Sequence, residues 1–468
     1  MSMRKTDRQQ LFWMCVVALA LRLALMWFLY PQSLNPHLDH WSFGFEEGRV
    51  ARALATGHGF SNPLYAPTGP TAWFAPVYPA ILAGVFKIFG VYTKAACLAI
   101  LAFNDLVSAL TCIPIFVFSR RSFGASAARV AGWIWAFFPD AVYGPNNRIW
   151  NIWLATLLLA ILLCMALRLA ERNGAREWIA FGALSGVAAL TDPVVLSVLP
   201  ILALWALWRL HRKRARWLTP AICCFVATVV VLSPWFVRNY AVFHRFIPVR
   251  DDLGLELAVG NNGDSRFTEA REDGPWLPSG RSQWNEYVTL GETAYFHKKF
   301  HEGIAYIEAH PLWYARMVAL RIANVWTDYW RLSTAYLAKG PYTIIALPFY
   351  TLLSCLTLLG LWNIFRHRGL SAALPYAVVL LCFPVVYYLT HTGDWYRRPM
   401  DPFFVGLAAH EVTVVFRKLK ARYPAPSYAA DRPRIATPQE DAAAGFAASK
   451  LAPGAWEHPA PPKESPSP

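Results

Sequence analysis

The chain has 468 residues, 56% hydrophobic and only 16% charged, with 21 Trp and a formal charge of +15. Soluble domains carry roughly 25% charged residues, so this balance excludes an ordinary soluble enzyme and points to a polytopic membrane protein. All eight Cys lie in or at the ends of apolar runs, which argues against a disulfide framework and a Cys-ligated zinc.

A basic N-terminus with Arg4, Lys5 and Arg8 enters the first apolar run, residues 11–30. No small-residue cleavage site follows it, so the run reads as an uncleaved span. Next comes a polar stretch, 39–79, with three carboxylates: Asp39, Glu46 and Glu47. Its glycines and prolines are too dense for one long helix, and two short helices, 48–55 and 77–89, are expected between loops. A connector of about forty residues is long against the usual four to six, and long ordered loops on a rigid scaffold carry chemistry.

Further spans are expected at 94–118, 127–143, 149–169, 178–190, 194–208 and 218–236, then at 342–364, 372–389 and 403–416. The result is an all-α membrane protein of about ten helices. The runs 178–190 and 194–208 meet at Thr191-Asp192-Pro193, where Asp192 faces a cavity or caps the next helix. Arg22 and Asp105 sit inside spans, where a charge is costly unless paired, and an ion pair between them would be structural.

The connectors alternate in charge. Arg120-Arg121, Arg168-Arg172, Arg209-Arg212, Arg366-Arg368 and Arg417-Lys418 all fall on the side of the N-terminus. Basic residues accumulate on the cytoplasmic side, so both termini are expected there, with the 39–79 loop outside. The positive charge is a topology signal, and no nucleic-acid partner is implied.

The polar segment 237–339 holds twelve acidic and twelve basic residues and reads as a small external cap. Within it, 254–264 reads as a turn-rich loop, 291–310 as a helix and 311–330 as a second helix at the membrane interface. His297 and His301 are four apart, a metal-ligand spacing, but HKKFH is not HExxH and a solvated helix face is the plainer reading. The organisation expected is a membrane module, 1–236, with its first outer loop at 31–93. An external segment (237–340), C-terminal membrane helices (341–418) and a disordered tail (419–468) complete it.

Two stretches, FEEGRVARALATGHGFSNP and PTAWFAPVYPAILAGVFKIFG, resemble the first outer loop of the GT-C membrane glycosyltransferases. That superfamily includes the protein O-mannosyltransferases and the lipid A aminoarabinose transferases (glycosyltransferase family 39-like). GALSGVAALTDPVVLSVLP, LSPWFVRNY and DWYRRPMDPFF continue the likeness, which covers most of 11–416. The resemblance implies a multi-span bundle and a polyprenyl-phosphate-linked sugar donor. It also implies transfer outside the membrane to a lipid, glycan or protein acceptor. The family's acidic pair falls on Glu46-Glu47, with Glu in place of Asp at its first position, and Asp39 is a rival.

The residues suit that chemistry. A loop carboxylate can take the proton of an acceptor hydroxyl or amide. The leaving lipid phosphate needs positive charge, for which Arg397, Arg398 and Arg238 are candidates. The resemblance leaves metal use open: the three carboxylates could hold Mg²⁺ or Mn²⁺ through oxygen, or share a proton. A transporter or flippase of lipid-linked sugars is the rival function. Midplane polar groups and internal repeats, the marks of transporters, are respectively few and absent.

Overall fold

The computed structural model describes residues 4–38, 41–265, 278, 281–328, 341–393 and 395–422. Among them the structure is helical, and the β pairing is an isolated bridge between Ser61 and Pro70. Residues Met1–Val415 form one compact unit; of the second, Phe416–Pro468, the described part is the end of helix Asp401–Arg422.

Seven described helices are long and apolar enough to cross a membrane: Lys5–Ser33, Lys94–Phe123, Ile152–Leu169, Pro193–Arg212, Leu218–Phe243, Ile345–Arg368 and Leu370–Leu389. The chain is a multi-pass membrane protein. The other three expected spans are helices of different form. The 127–143 run is two pieces, Ala125–Ala136 and Pro139–Asn147. Phe138 is extended because the following proline disfavours helical geometry at its predecessor. The remaining two are Ala175–Ala189 and Asp401–Arg422.

Small residues set a close helix contact within the membrane module. Gly182 and Gly186, a GxxxG pair, lie on Leu218–Phe243. A Cβ on Gly182 would stand 2.2 Å from the Cys224 carbonyl oxygen, and Thr228 Oγ1 donates to the Gly182 carbonyl at 3.0 Å. Apolar packing alone gives little drive between helices in lipid, so this close approach and its hydrogen bond replace it. The outer face of Leu218–Phe243 is apolar, with Phe225, Val229, Val230 and Val237 exposed.

The buried guanidinium of Arg22 is satisfied locally. Arg22 donates to Ser108 Oγ at 3.0 Å and to the carbonyls of Ala18, Ala136 and Trp135 at 2.8–3.2 Å. Asn146 bridges it to Asp105, donating to the Arg22 carbonyl at 3.3 Å and to Asp105 Oδ1 at 2.8 Å. The direct ion pair weighed from the sequence does not form: Asn146 stands between the two residues.

In the polar segment, Glu292–Ala309 and Pro311–Thr327 match the expected helices. The expected loop at 254–264 does not hold: residues Leu253–Gly260 form a helix. Its glycines serve close approach. A Cβ on Gly254 would lie 2.1 Å from the Phe296 carbonyl oxygen, and one on Gly260 2.1 Å from that of Thr390.

Candidate active site

Immediately before Glu46 the backbone is strained. Phe43, Gly44 and Phe45 have φ of 52°, 97° and 52°, and two bulky residues in the left-handed region are costly. Packing holds them there. Phe43 is fully buried against Phe86 and Tyr92, and the Arg148 guanidinium lies over the Phe45 ring. The turn releases directly into helix Glu46–Ala55, so both carboxylates sit at a helix N-terminus, where negative charge is favoured.

Glu46 lines a cavity of about 460 Å³. Its other walls come from five separate parts of the chain: Trp73 and Phe74 of the first loop, Trp150 to Ile152, Asp192 to Ser197 at the TDP turn, Pro248 to Val259, and Val386 to Tyr396. Hydrogen bonds lock these parts together. The Arg250 Nε donates to the Trp73 carbonyl at 2.9 Å, the Asp251 amide to that of Ala72 at 3.1 Å, and Asn151 Nδ2 to that of Thr191 at 2.7 Å.

Glu47 is not among the residues that line the cavity and is 2% exposed, and its Oε2 has no hydrogen-bond partner among the described residues. Burial pushes its carboxyl up to about 8; Arg250 opposes the shift, while Glu46 and Asp192 add to it. The Asn151 amide donates to it. At neutral pH Glu47 is therefore mostly protonated.

Arg250 is the arginine among the described residues that lines this cavity. It pairs with Asp252 and lies 4.0 Å from Glu256. Burial works against its charge, but Asp252, Glu256, Asp192 and Glu47 hold its pKa above the ordinary arginine value. Asp192 does both things weighed from the sequence: it lines the cavity, and its Oδ1 caps the Val194 amide at 3.0 Å. His391 closes one side, with Nδ1 3.3 Å from Glu256 and Nε2 3.2 Å from the Tyr396 hydroxyl. Burial, then Arg321, lowers its pKa to about 4, so the imidazole is neutral.

The other sequence candidates lie elsewhere. Asp39 falls outside the described residues. Arg397 bonds Asp401 at 2.8 and 2.9 Å and the Val325 carbonyl at 3.3 Å, under the rings of Tyr350 and Phe404. Arg398 lies 2.5 Å from Asp140 and bonds the Tyr350 hydroxyl. Arg238 donates to the carbonyls of Thr71 and Phe60 at 2.7 and 2.8 Å. None of these three lines the 460 Å³ cavity.

The sequence reading missed Arg250, Asp252, Glu256 and His391. The available signal was the charged run Arg250-Asp251-Asp252 set directly against the apolar stretch LGLELAVG. Among the described residues no three His, Cys, Asp or Glu side chains come close enough to hold a metal ion. Asp252, Glu256 and Asp192 gather instead around the Arg250 guanidinium, and Asp39, the third carboxylate of the first loop, lies outside the described residues.

The model of the dolichyl-phosphate-mannose-protein mannosyltransferase family matches residues 72–237. No curated protein matches the chain significantly in sequence. The archaeal oligosaccharyltransferase AglB from Archaeoglobus fulgidus, in complex with an inhibitory peptide and a dolichol-phosphate, is similar with a TM-score of 0.54 at 12% identity. The match covers 95% of this chain and 54% of that one. The apo form of the A. fulgidus enzyme gives 0.53 at 14% identity, covering 89% and 51%. The chain thus spans about half the length of the oligosaccharyltransferases it matches. ArnT from Cupriavidus metallidurans bound to undecaprenyl phosphate gives 0.34 at 15% identity over 87% and 79%, too loose a likeness to argue from. The chain has the fold of the GT-C membrane glycosyltransferases, and residues 72–237 carry the sequence pattern of the dolichyl-phosphate-mannose-protein mannosyltransferases.

Proposed function

We propose that this protein transfers a sugar from a polyprenyl-phosphate carrier to an acceptor at the outer face of the membrane, by single displacement, with Glu46 as general base. The observation that carries this reading is the position of Glu46. It is a carboxylate at a strained helix start, lining a cavity walled by five further chain segments in a GT-C fold.

In the proposed step the acceptor hydroxyl or amide attacks the anomeric carbon as Glu46 takes its proton. The bond from that carbon to the phosphate oxygen breaks, and its electron pair leaves with the lipid phosphate. That phosphate is a stable anion, so no general acid is required. Glu47, buried and mostly protonated at neutral pH, adds little negative charge beside Glu46. Arg250 supplies positive charge at the cavity wall for the departing phosphate. Arg397, Arg398 and Arg238 are the other candidates for that contact. No step is routed through a metal ion, and transfer measured with and without chelator decides whether one is needed.

The basic connectors support cytoplasmic termini and an outer catalytic loop. A reporter fused after Ser61 tests this, and a cytoplasmic score would reverse the orientation. The function is tested by incubating the purified protein with labelled polyprenyl-phosphate sugar and candidate acceptors. Transfer supports the enzyme. Transbilayer movement of the donor without transfer would instead favour the flippase.

A further inference from the structure

A second cavity, of about 1080 Å³, opens at the other ends of the same helices. Pro193–Arg212 begins at the 460 Å³ cavity with Val194 and ends at the large one with Arg209. Ile152–Leu169 runs from Ile152 in the first to Leu167 beside the second, and Leu370–Leu389 runs in reverse from Ala372 to Tyr387. An 18-residue helix is about 27 Å long, so the two cavities lie on opposite membrane faces.

The large cavity is lined by eight arginines against three carboxylates. Arg120 pairs with Asp7 at 3.0 Å, Arg121 with Glu171 at 2.5 Å and Arg172 with Glu177 at 2.9 Å. The latter two pairs are well exposed and hold little energy. Arg4, Arg129, Arg168, Arg209 and Arg368 have no carboxylate partner among the described residues. Topology alone asks only for basic residues in water-facing loops. Here they come from several separate helices and converge on one walled volume. Arg209 is held in place by Ser371 Oγ at 2.8 Å, and Tyr376 is fixed by Ser122 Oγ at 2.6 Å.

We propose that this cavity is a binding site for phosphate, taken from the headgroup of an anionic lipid on that face of the membrane. Guanidinium forks suit phosphate oxygens, and basic pockets between membrane helices recognise such headgroups. Five unpaired positive charges and the volume suit a headgroup with two phosphates better than a single one. The site is separate from the catalytic cavity, and its occupancy would not depend on donor or acceptor.

The test uses the full-length protein, delipidated in a neutral detergent. It is titrated separately with cardiolipin, phosphatidylcholine and sodium pyrophosphate, following thermal melting and retained adducts by native mass spectrometry. Cardiolipin should raise the melting temperature and be retained; phosphatidylcholine should do neither. Saturable stabilisation by pyrophosphate, with no further gain from cardiolipin, would assign the phosphate site to a soluble anion. The variant Arg129→Gln/Arg168→Gln/Arg209→Gln should bind roughly a hundredfold more weakly, at about fivefold per charge, with its lipid-free melting unchanged. A matching triple Lys variant should keep most of the affinity, which separates lost charge from lost fold. Equal responses to cardiolipin and phosphatidylcholine in the native protein, or undiminished binding by the Gln variant, would overturn the proposal.

Discussion

Glu292 and Thr71 stand 221 residues apart and are joined by a 2.5 Å hydrogen bond from the Thr71 hydroxyl to the Glu292 carboxylate. The same carboxylate accepts the Ala72 amide at 2.6 Å and the Tyr287 hydroxyl at 3.1 Å. Arg238 grips the Thr71 carbonyl from the other side. The 292–309 helix thereby pins the first outer loop one residue before the cavity wall begins at Trp73. Glu292→Ala should cost about 2–4 kcal/mol, because it strands buried donors, and should expose the loop to protease. Melting and limited proteolysis in detergent check this, and an unchanged digestion pattern would remove the pin.

The buried carboxyl of Glu47 sets a pH dependence. Burial raises it from 4.5 to about 8, so the folded state holds a proton that the unfolded chain releases earlier. Its contribution is therefore complete below pH 4.5 and is lost as pH rises through about 8. Glu292, raised by burial to about 7, acts with the same sign. Glu47→Gln, which copies the protonated form, should melt higher than the native protein at pH 8.5 and no higher at pH 4.5. Parallel melting curves across that range would mean that Glu47 ionises freely.

Arg398 and Arg250 separate a structural arginine from a phosphate contact. Arg398 sits in a buried ion pair with Asp140, and removing one partner leaves an uncompensated charge. Arg398→Gln should lose about 3–5 kcal/mol of stability, and adding Asp140→Asn should recover part of it. Arg250→Lys should stay folded yet bind the lipid-phosphate donor several-fold more weakly, since Lys cannot form the same fork. Donor affinity per folded molecule is the measurement. A folded Arg398→Gln protein that has lost donor binding would move the phosphate contact to Arg398.

Gly48 follows the acidic pair with no room for a side chain. A Cβ there would lie 1.8 Å from the Ser42 carbonyl oxygen and 2.4 Å from that of Phe43. Gly48→Ala must therefore displace the strained turn that aims Glu46. It should abolish most transfer activity while leaving the protein in the membrane. The distant Gly57→Ala, at φ +85° but in open space, should do far less harm. Equal activity in the two variants would show that the turn is not needed.

The helices 77–89 and 292–309 were legible because apolar spacing and a following Gly or Pro mark them locally. The helix at 253–260 was not, because Gly254 and Gly260 read as turn residues until their contacts with Phe296 and Thr390 are known. The acidic pair was legible as a motif beside a span. The cavity arginine, Arg250, was not: it reaches the wall beside the first loop only once residues 250–251 bond to residues 72–73. Arg397 and Arg398 looked exposed at the mouth of a span. Asp401 and Asp140, which bury them, are recognisable as partners only in three dimensions.

The most direct test is sugar transfer by Glu46→Gln, measured beside Glu47→Gln and Asp39→Asn with donor affinity as the control. Glu46→Gln keeps the shape of the cavity wall and removes the base. Its turnover should fall roughly 10²–10⁴-fold with donor binding nearly unchanged. Glu47→Gln should cost clearly less, since the group it replaces is already protonated. Near-normal transfer by Glu46→Gln would contradict the assignment: with Asp39→Asn or Glu47→Gln inactive, the base moves to that residue, and with all three active no carboxylate of the first loop serves as base.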